Sequence, residues 1–288
     1  MKVVTFNIRC DYGQDGLNEF ANRKELILRK INQEKPDIIG FQEVLPHVAK
    51  WLKENLNEYY VIGCGRGANL RDEQMSIAYR RDRINLISMK TWWLSQTPDV
   101  PGSRYEEQSS CPRTATEAVF EDIKNDKVFR FINTHLDHIG AQAREKGLTQ
   151  IINQLNQERF WKDIPVILCG DFNAEPNAPE MEIISRDSSF NNLTKDIGIT
   201  FHGYYKNDPN DPPCSIDYIV LKGDWQCETV YKWTDEENGI YRIWKDTASC
   251  IQDVSWYMGN RRCRMGFLFR RKPDGCDQGS SRLWNQFY

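Results

Sequence analysis

The sequence predicts an α/β fold with mixed or antiparallel β-sheets, and three observations support this prediction. Short runs with strand character alternate along the chain with longer segments whose apolar residues recur at helical spacing. Two strand-like runs, 116–122 and 127–134, flank the short polar turn 124–126, which is typical of a hairpin. The chain has 288 residues, 40% hydrophobic and 27% charged, a composition typical of a folded protein with a large core. Because hairpins are interspersed with helices, all-parallel sheets are not expected.

The first part of the chain begins with a β-rich run at 2–6. A helix follows, because Phe20, Ile27 and Ile31 share one helical face, and Pro36 marks its end. A strand at 37–41 and a helix at 46–56 come next. The remaining predicted strands before the hairpin are 59–63, 75–79 and 85–93.

The second part contains the clearest predicted helix, 141–160, in which Leu148, Ile151 and Leu155 form an apolar stripe. An apolar run at 165–169 is short enough to be a buried strand. A short helix at 179–185 and two strands at 215–221 and 227–233 complete this part of the chain.

The cysteines and the hydropathy pattern indicate a cytoplasmic protein. Nine cysteines form an odd set without C-x-x-C spacing, which argues against a zinc site or a complete disulfide framework. No apolar run approaches the roughly 18 residues that a membrane span needs, and polar residues follow the start of the chain too soon for a signal peptide. We therefore expect no stable membrane insertion and no export.

The charge is unevenly distributed. Residues 1–241 carry 29 Lys and Arg against 37 Asp and Glu, whereas residues 242–288 carry 9 against 4. The sequence therefore predicts a main domain at 1–241 and an atypical basic C-terminal segment at 242–288.

Polar side chains at predicted strand ends are the candidates for chemistry. Asp171 and Asn173 are two residues apart after a buried strand, so both lie on one face. An acid beside an amide can hold a metal ion or a water, although the same residues are common in turns. His135 lies at another strand end and is one of only four histidines; a purely structural histidine is the alternative.

Asn7 and Glu43 follow the first two predicted strands. Each is an ordinary surface residue when considered alone. Mg²⁺ prefers oxygen ligands, usually one or two carboxylates together with water and phosphate oxygens. Asn7 and Glu43, with Asp171, Asn173 and Asp217, could supply such ligands.

Five short segments in order resemble the motifs of the endonuclease/exonuclease/phosphatase superfamily, which includes deoxyribonuclease I. These segments are TFNIR at 5–9, QEV at 42–44, NTHLD at 133–137, GDFN at 170–173 and SIDYI at 215–219. The resemblance covers about residues 1–241. It implies a four-layered α/β sandwich, in which two β-sheets pack face to face between helices, and phosphoester cleavage that depends on Mg²⁺ or Mn²⁺.

The resemblance also implies roles for individual residues. Asn7 and Glu43 correspond to metal-site residues, and Asp171 and Asn173 to residues that position or activate the attacking water. His135 corresponds to the residue that stabilises or protonates the developing phosphorane.

Three further residues complete the implied site. Glu73 resembles the family's partner for the catalytic histidine, with a solvated loop carboxylate as the alternative. Arg113 could clamp a phosphate oxygen, although a surface arginine is about equally compatible with the sequence. Asp217 resembles the aspartate that orients a second histidine near the C-terminus.

That second histidine belongs to a Ser-Asp-His motif of the family, which this chain lacks: no histidine follows His202. Two interpretations of residues 242–288 remain open, a basic extension for an anionic partner or an altered reading frame that replaces the native end. We favour the second, because the composition changes where the motif is expected. It predicts that the family's last strand is absent, that Asp217 has lost its partner and that activity is impaired.

The sequence therefore predicts a metal-dependent phosphoester hydrolase, a phosphodiesterase or phosphatase. The net charge of −8 over residues 1–241 argues against nonspecific duplex binding and favours a small or lipid-like phosphoester over nucleic acid. The alternatives are a noncatalytic protein that binds metal or phosphate, a nuclease acting on DNA or RNA, and a nucleic-acid-binding module that uses the basic tail. Trp92 and Trp93 could line a substrate groove, but tryptophan in a strand is more often core.

Overall fold

A computed structural model describes residues 1–157, 161, 163–202, 212–234, 236–237, 240–241, 248–252 and 255–256. The helices are α1 (Phe20–Glu34), α2 (Pro46–Asn55), α3 (Ala141–Gln157) and α4 (Glu182–Arg186). The strands are β1 (Lys2–Asn7), β2 (Ile38–Val44), β3 (Tyr59–Ile62), β4 (Gln74–Arg80), β5 (Ile84–Trp93), β6 (Thr114–Asp122), β7 (Lys127–His135), β8 (Val166–Asp171), β9 (Phe190–Asn192), β10 (Asp217–Lys222), β11 (Trp225–Gln226), β12 (Thr229–Trp233), β13 (Glu236–Glu237), β14 (Ile240–Tyr241), β15 (Ala248–Gln252) and β16 (Ser255–Trp256).

Two six-stranded mixed sheets form the body. The first sheet has the order β12-β15-β1-β2-β4-β3, and the second has the order β5-β6-β7-β8-β10-β9. Strands β1 and β2 are parallel, as are β7 and β8, whereas the other pairs within these two sheets are antiparallel. This arrangement brings the carboxyl ends of four strands to one edge of the sandwich.

Three buried apolar clusters define the layers. The central cluster joins residues of both sheets, among them Val3, Ile77, Phe120 and Ile219. A second cluster covers the outer face of the first sheet with α1 and α2, and a third covers the second sheet with α3 and α4. The result is the predicted four-layered α/β sandwich.

A buried polar contact fixes the two sheets against each other. Asn133 on β7 donates hydrogen bonds to the carbonyl oxygens of Phe41 (2.8 Å) and Ser76 (2.9 Å) in the facing sheet. Its Oδ1 accepts a hydrogen bond of 2.6 Å from Gln42 Nε2. Gly40 permits the close approach, because a Cβ there would lie 2.6 Å from the Sγ of Cys169.

The predicted helices and most predicted strands are present, with ends shifted by a few residues. The helix predicted at 141–160 ends at Gln157, and residues 158–160 lie outside the described residues. The sequence did not predict the short edge strand β9. None of the described helices combines the length and the apolar character needed to cross a membrane.

The expectation that the last strand is missing is wrong. Ala248–Gln252 form β15, which pairs antiparallel with β1 on one side and β12 on the other. Cys250 faces the helix-covered cluster and Ile251 faces the central cluster, both with 0% exposure. The first sheet therefore extends beyond residue 241. The sequence argument failed because ladder hydrogen bonds come from the backbone and do not require the family's residues.

Ile251→Ala is expected to lower the free energy of unfolding by about 2–5 kcal/mol, because it empties a buried site between the sheets. The matched control is Ile87→Ala on β5, since Ile87 is 42% exposed. Denaturant unfolding measures the free energy of unfolding of both variants. Equal stability of the two variants would show that the C-terminal segment does not complete the sheet.

Candidate active-site cleft

The predicted site residues converge where the ends of five strands meet. Asn7 and Glu43 come from β1 and β2 of the first sheet, and His135 and Asp171 end β7 and β8 of the second. Asp217 begins the antiparallel neighbour β10, directly opposite Asp171. Glu43, His135 and Asp171 line a cleft of about 660 Å³, and Asn7 and Asp217 are buried beside them. Asn7, Glu43, His135 and Asp171 were predicted from their positions at or after strand ends, and Asp217 from its chemistry and the resemblance.

Asn7 joins the two sheets at this point. Its Nδ2 donates to Glu43 Oε1 at 2.9 Å and to Asp171 Oδ2 at 3.1 Å. Its Oδ1 accepts a hydrogen bond from the backbone N–H of Arg9 at 3.0 Å. In this arrangement Asn7 orients the two carboxylates through its amide nitrogen, and its oxygen is already engaged.

Glu43 is directed into the cleft by a local irregularity. The β2–β4 register shifts between Phe41 and Val44, and Glu43 has a φ of 62°, which non-glycine residues rarely adopt. The backbone N–H of Cys10 donates to Glu43 Oε2 at 2.6 Å. Burial raises the pKa of Glu43, but the positive charge of Arg9 and the hydrogen bonds from Asn7 and Cys10 outweigh burial and lower the pKa. Glu43 is therefore an ionised carboxylate.

Asp171 is placed between Asn7 and His135. His135 Nε2 lies 3.6 Å from Asp171 Oδ2, and the two residues are paired in register across β7 and β8. Burial, assisted by the charge of Glu43, raises the pKa of Asp171 above its usual range despite hydrogen bonds from Asn173 and Asn7. Gly170 makes this placement possible, since a Cβ there would lie 1.9 Å from the Thr134 carbonyl oxygen.

Asn173 follows Asp171 with a φ of 48°. Its backbone N–H donates to Asp171 Oδ1 at 2.9 Å, and its Nδ2 donates to the Leu136 carbonyl oxygen at 3.0 Å. The side-chain oxygen accepts no hydrogen bond from the described residues, and Asn173 lines the cleft. This oxygen can therefore accept a hydrogen bond from a water beside Asp171.

His135 is buried and neutral. Burial, followed by the positive charge of Arg113, lowers the pKa of His135 well below its usual range. Its Nδ1 has no hydrogen-bond partner in the described part of the chain. A neutral imidazole here can donate one hydrogen bond to an oxygen that gains negative charge.

The resemblance implies that Glu73 pairs with His135, but no hydrogen bond joins the two within the described part of the chain. The Oε1 of Glu73 instead accepts a hydrogen bond of 2.8 Å from Arg66, which the sequence analysis did not identify. Burial and the charge of Glu43 raise the pKa of Glu73 to about 7. A glycine on each side of Arg66 is the only sequence signal of its position.

Arg113 lies in the cleft, where the resemblance implies a phosphate clamp. It is 4% exposed, and its Nη2 lies 2.8 Å from His138 Nδ1. Its Nε lies 3.5 Å from an oxygen of Asp137. Arg9, Arg66 and Arg144 also line the cleft, so it has four arginines although the domain is acidic.

Asp217 is a buried carboxylate with no charged partner among the described residues, and the neighbouring Thr200 hydroxyl only partly offsets the effect of burial on its pKa. Asp217 is 1% exposed, and neither oxygen accepts a hydrogen bond from any described residue. Burial, followed by the charge of Asp171, raises the pKa of Asp217 well above its usual range. This state agrees with the absence of a histidine for Asp217 to orient.

Trp92 and Trp93 do not line the cleft. Both are 4% exposed, and the indole N–H of Trp93 donates to the Arg66 carbonyl oxygen at 2.6 Å. Their position agrees with the core alternative.

Asp217→Asn is expected to raise the free energy of unfolding by about 1–3 kcal/mol at pH 7, because an amide is less costly to bury than an unpaired carboxylate. The gain should grow with pH. The pKa of Asp217 is raised in the folded state, so the parent protein loses stability as pH rises through that pKa. Asparagine does not titrate, so the variant does not lose stability in this way.

Thermal melts from pH 5 to pH 8 measure this effect, with Asp224→Asn as an exposed control. A destabilised Asp217→Asn protein would show that Asp217 has a partner in the rest of the chain.

Comparison with known proteins supports the resemblance. The model of the Endonuclease/Exonuclease/phosphatase family matches residues 4–249. The crystal structure of an endonuclease/exonuclease/phosphatase from Bacteroides vulgatus is 28% identical, has a TM-score of 0.81, and is matched over 89% of this chain and 98% of that one.

Two further comparisons agree. The uncharacterized protein L388 of Acanthamoeba polyphaga mimivirus is 28% identical over 183 residues, 61% of this chain and 68% of that protein. A mannosyl-6-phosphatase from Bacteroides thetaiotaomicron VPI-5482 has a TM-score of 0.79, covers 89% of this chain and 100% of its own, and at 23% identity shares the fold alone. The strand-end motifs, the sandwich and the family match agree, and the chain belongs to the endonuclease/exonuclease/phosphatase family.

Proposed function

We propose that this chain is a metal-dependent phosphoester hydrolase that acts on a small or lipid-like substrate. The observation that carries the proposal is the convergence of Glu43, Asp171 and His135 around Asn7 at the end of a cleft lined by arginines. Its volume of about 660 Å³ lies in the range typical of small-molecule sites.

The donor set fits Mg²⁺ or Mn²⁺. Glu43 would hold the ion, with Asn7 positioning its carboxylate, and water and substrate oxygens would complete the coordination, as is usual for Mg²⁺. No group of three or more His, Cys, Asp or Glu side chains has metal-ligating geometry within the described residues, so an all-protein cage is not proposed. When bound, the metal supplies positive charge to the nonbridging phosphate oxygens.

The protein's own groups would perform the remaining steps. Asp171, with its raised pKa, accepts a proton from a water that Asn173 helps to position. His135 donates a hydrogen bond to a phosphoryl oxygen as negative charge develops there, and Arg113 binds another. The water oxygen forms a bond to phosphorus, the bond to the leaving oxygen breaks, and the leaving group takes up a proton.

One observation favours a second candidate, a noncatalytic protein that binds metal or phosphate. Asp217 lacks the histidine that would complete the family's site, and its carboxylate is unpaired in the described residues. A chain of this kind would bind the metal without hydrolysing phosphoesters.

Glu43→Gln is expected to weaken Mg²⁺ and Mn²⁺ binding by about tenfold or more, because it removes the ionised ligand while keeping one oxygen that can accept from either Asn7 or Cys10. Isothermal titration calorimetry measures binding directly and needs no turnover. Glu175→Gln, at an exposed position of the cleft, is the control. Identical titrations for both variants would remove Glu43 from the metal site.

Asp171→Asn is expected to reduce metal-dependent hydrolysis by roughly 10²–10⁴-fold, the usual contribution of a general base. The assay uses 4-nitrophenyl phosphate and bis(4-nitrophenyl) phosphate, with exposed Asp196→Asn as the control. A variant as fast as its parent would contradict the role of Asp171. A parent that binds metal but hydrolyses neither compound would establish the noncatalytic alternative.

A further inference from the structure

Two buried arginines line the same cleft, and the chemistry above uses only one of them. Arg66 and Arg113 are each 4% exposed and line the cleft. The Nη1 atom of each has no hydrogen-bond partner among the described residues. A buried guanidinium N–H without an acceptor is costly, so this pair has unused capacity for an anion.

Arg66 is held rigidly from several sides. Its Nη2 donates to Glu73 at 2.8 Å and its Nε to Asp72 at 3.3 Å. The backbone N–H of Arg66 donates to the Glu73 carbonyl oxygen at 3.0 Å. The indole N–H of Trp93 donates to the Arg66 carbonyl oxygen. The loop therefore fixes the guanidinium before any ligand arrives, which reduces the entropy lost on binding.

Arg66 and Arg113 also repel each other. After burial, the charge of Arg66 is the main cause that lowers the pKa of Arg113. Both arginines line the cleft together with His135, the residue that would contact the phosphoryl group. An anion bound between them would relieve this repulsion, which the ion pairs of Arg66 with Asp72 and Glu73 offset only in part.

We infer that Arg66 is a specificity-determining residue that, with Arg113, selects a terminal phosphoryl group, so that the substrate is a phosphomonoester. The inference rests on the proposed function. A monoester presents three nonbridging oxygens and nearly two negative charges at neutral pH. A diester presents two such oxygens and one charge, and its second ester group would face the unpartnered N–H of the second arginine.

The oxygen count matches the site. A metal ion held by Glu43 would account for one nonbridging oxygen, and the two arginines for the others, each through the planar donors that suit phosphate. One of these oxygens would also accept the hydrogen bond from His135, since a phosphate oxygen can accept more than one. Hydrolysis breaks the bond from phosphorus to the alcohol oxygen and joins phosphorus to the water oxygen, and the alcohol leaves with a proton. The other product is inorganic phosphate, which keeps the three oxygens and serves as a binding probe.

The experiment compares binding of inorganic phosphate and dimethyl phosphate by isothermal titration calorimetry, in Mg²⁺ buffer and in metal-free buffer. Arg66→Gln is expected to weaken the binding of inorganic phosphate by about tenfold or more, the loss typical of a charged hydrogen bond. The binding of dimethyl phosphate should weaken by about twofold or less. Arg71→Gln is the matched control, because Arg71 is an exposed arginine of the same loop. It should change both affinities by about twofold or less.

Arg66→Lys keeps the positive charge but lacks the planar, paired N–H donors of the guanidinium. It is expected to give an intermediate loss of affinity for inorganic phosphate. It also replaces Arg66→Gln if melting shows that Arg66→Gln is unfolded. Equal losses for the two ligands, or no loss for either, would overturn the inference. Selective phosphate binding by a parent that hydrolyses no phosphoester would overturn the proposed function and leave Arg66 as the phosphoryl-selecting residue.

Discussion

The site depends on the position of one sheet relative to the other, and Asn133 fixes that position. Its amide N–H groups donate to carbonyl oxygens of two strands in the facing sheet, and its oxygen accepts from Gln42. All of these groups are buried, so a shift between the sheets would leave two or more polar groups unpaired in the core. Apolar side chains in the same interface could slide past each other at lower cost. The polar contact therefore specifies the register, while the surrounding apolar cluster supplies most of the burial.

This register lets residues of different sheets meet at one edge. Asn7 and Asp171 are 164 residues apart in sequence, and their hydrogen bond of 3.1 Å exists only when both sheets are in place. Arg9, Glu43 and Asn173 have positive φ values around the same point. Such backbone conformations are costly and persist where surrounding contacts overdetermine them. The site is therefore formed by the fold before any ligand binds.

The sequence predicted most of this because the relevant residues follow strands. Asn7, Glu43, His135 and Asp171 each lie at the end of a predicted strand, and strand ends share an edge in such a sandwich. The contacts of side chains in loops could not be predicted in this way. The carbonyl oxygen of Arg66 accepts a hydrogen bond from Trp93, 27 residues away. The guanidinium of Arg66 donates to Glu73, the residue that the resemblance implies as the partner of His135. Such loop contacts follow no sequence periodicity, so the sequence pattern could not predict them.

The C-terminal segment meets the requirement for a last strand in the first sheet but not the requirement for a histidine beside Asp217. β15 completes the first sheet, because a ladder needs backbone groups and packing needs only apolar side chains of suitable size at Cys250 and Ile251. Orientation of a phosphate by a histidine needs one particular side chain, and the carboxylate of Asp217 has no such partner among the described residues. The hydroxyl of Ser249 on the same strand is likewise buried without a described partner. The described part of the C-terminal segment therefore meets the backbone requirement of the sheet without supplying the histidine contact to Asp217.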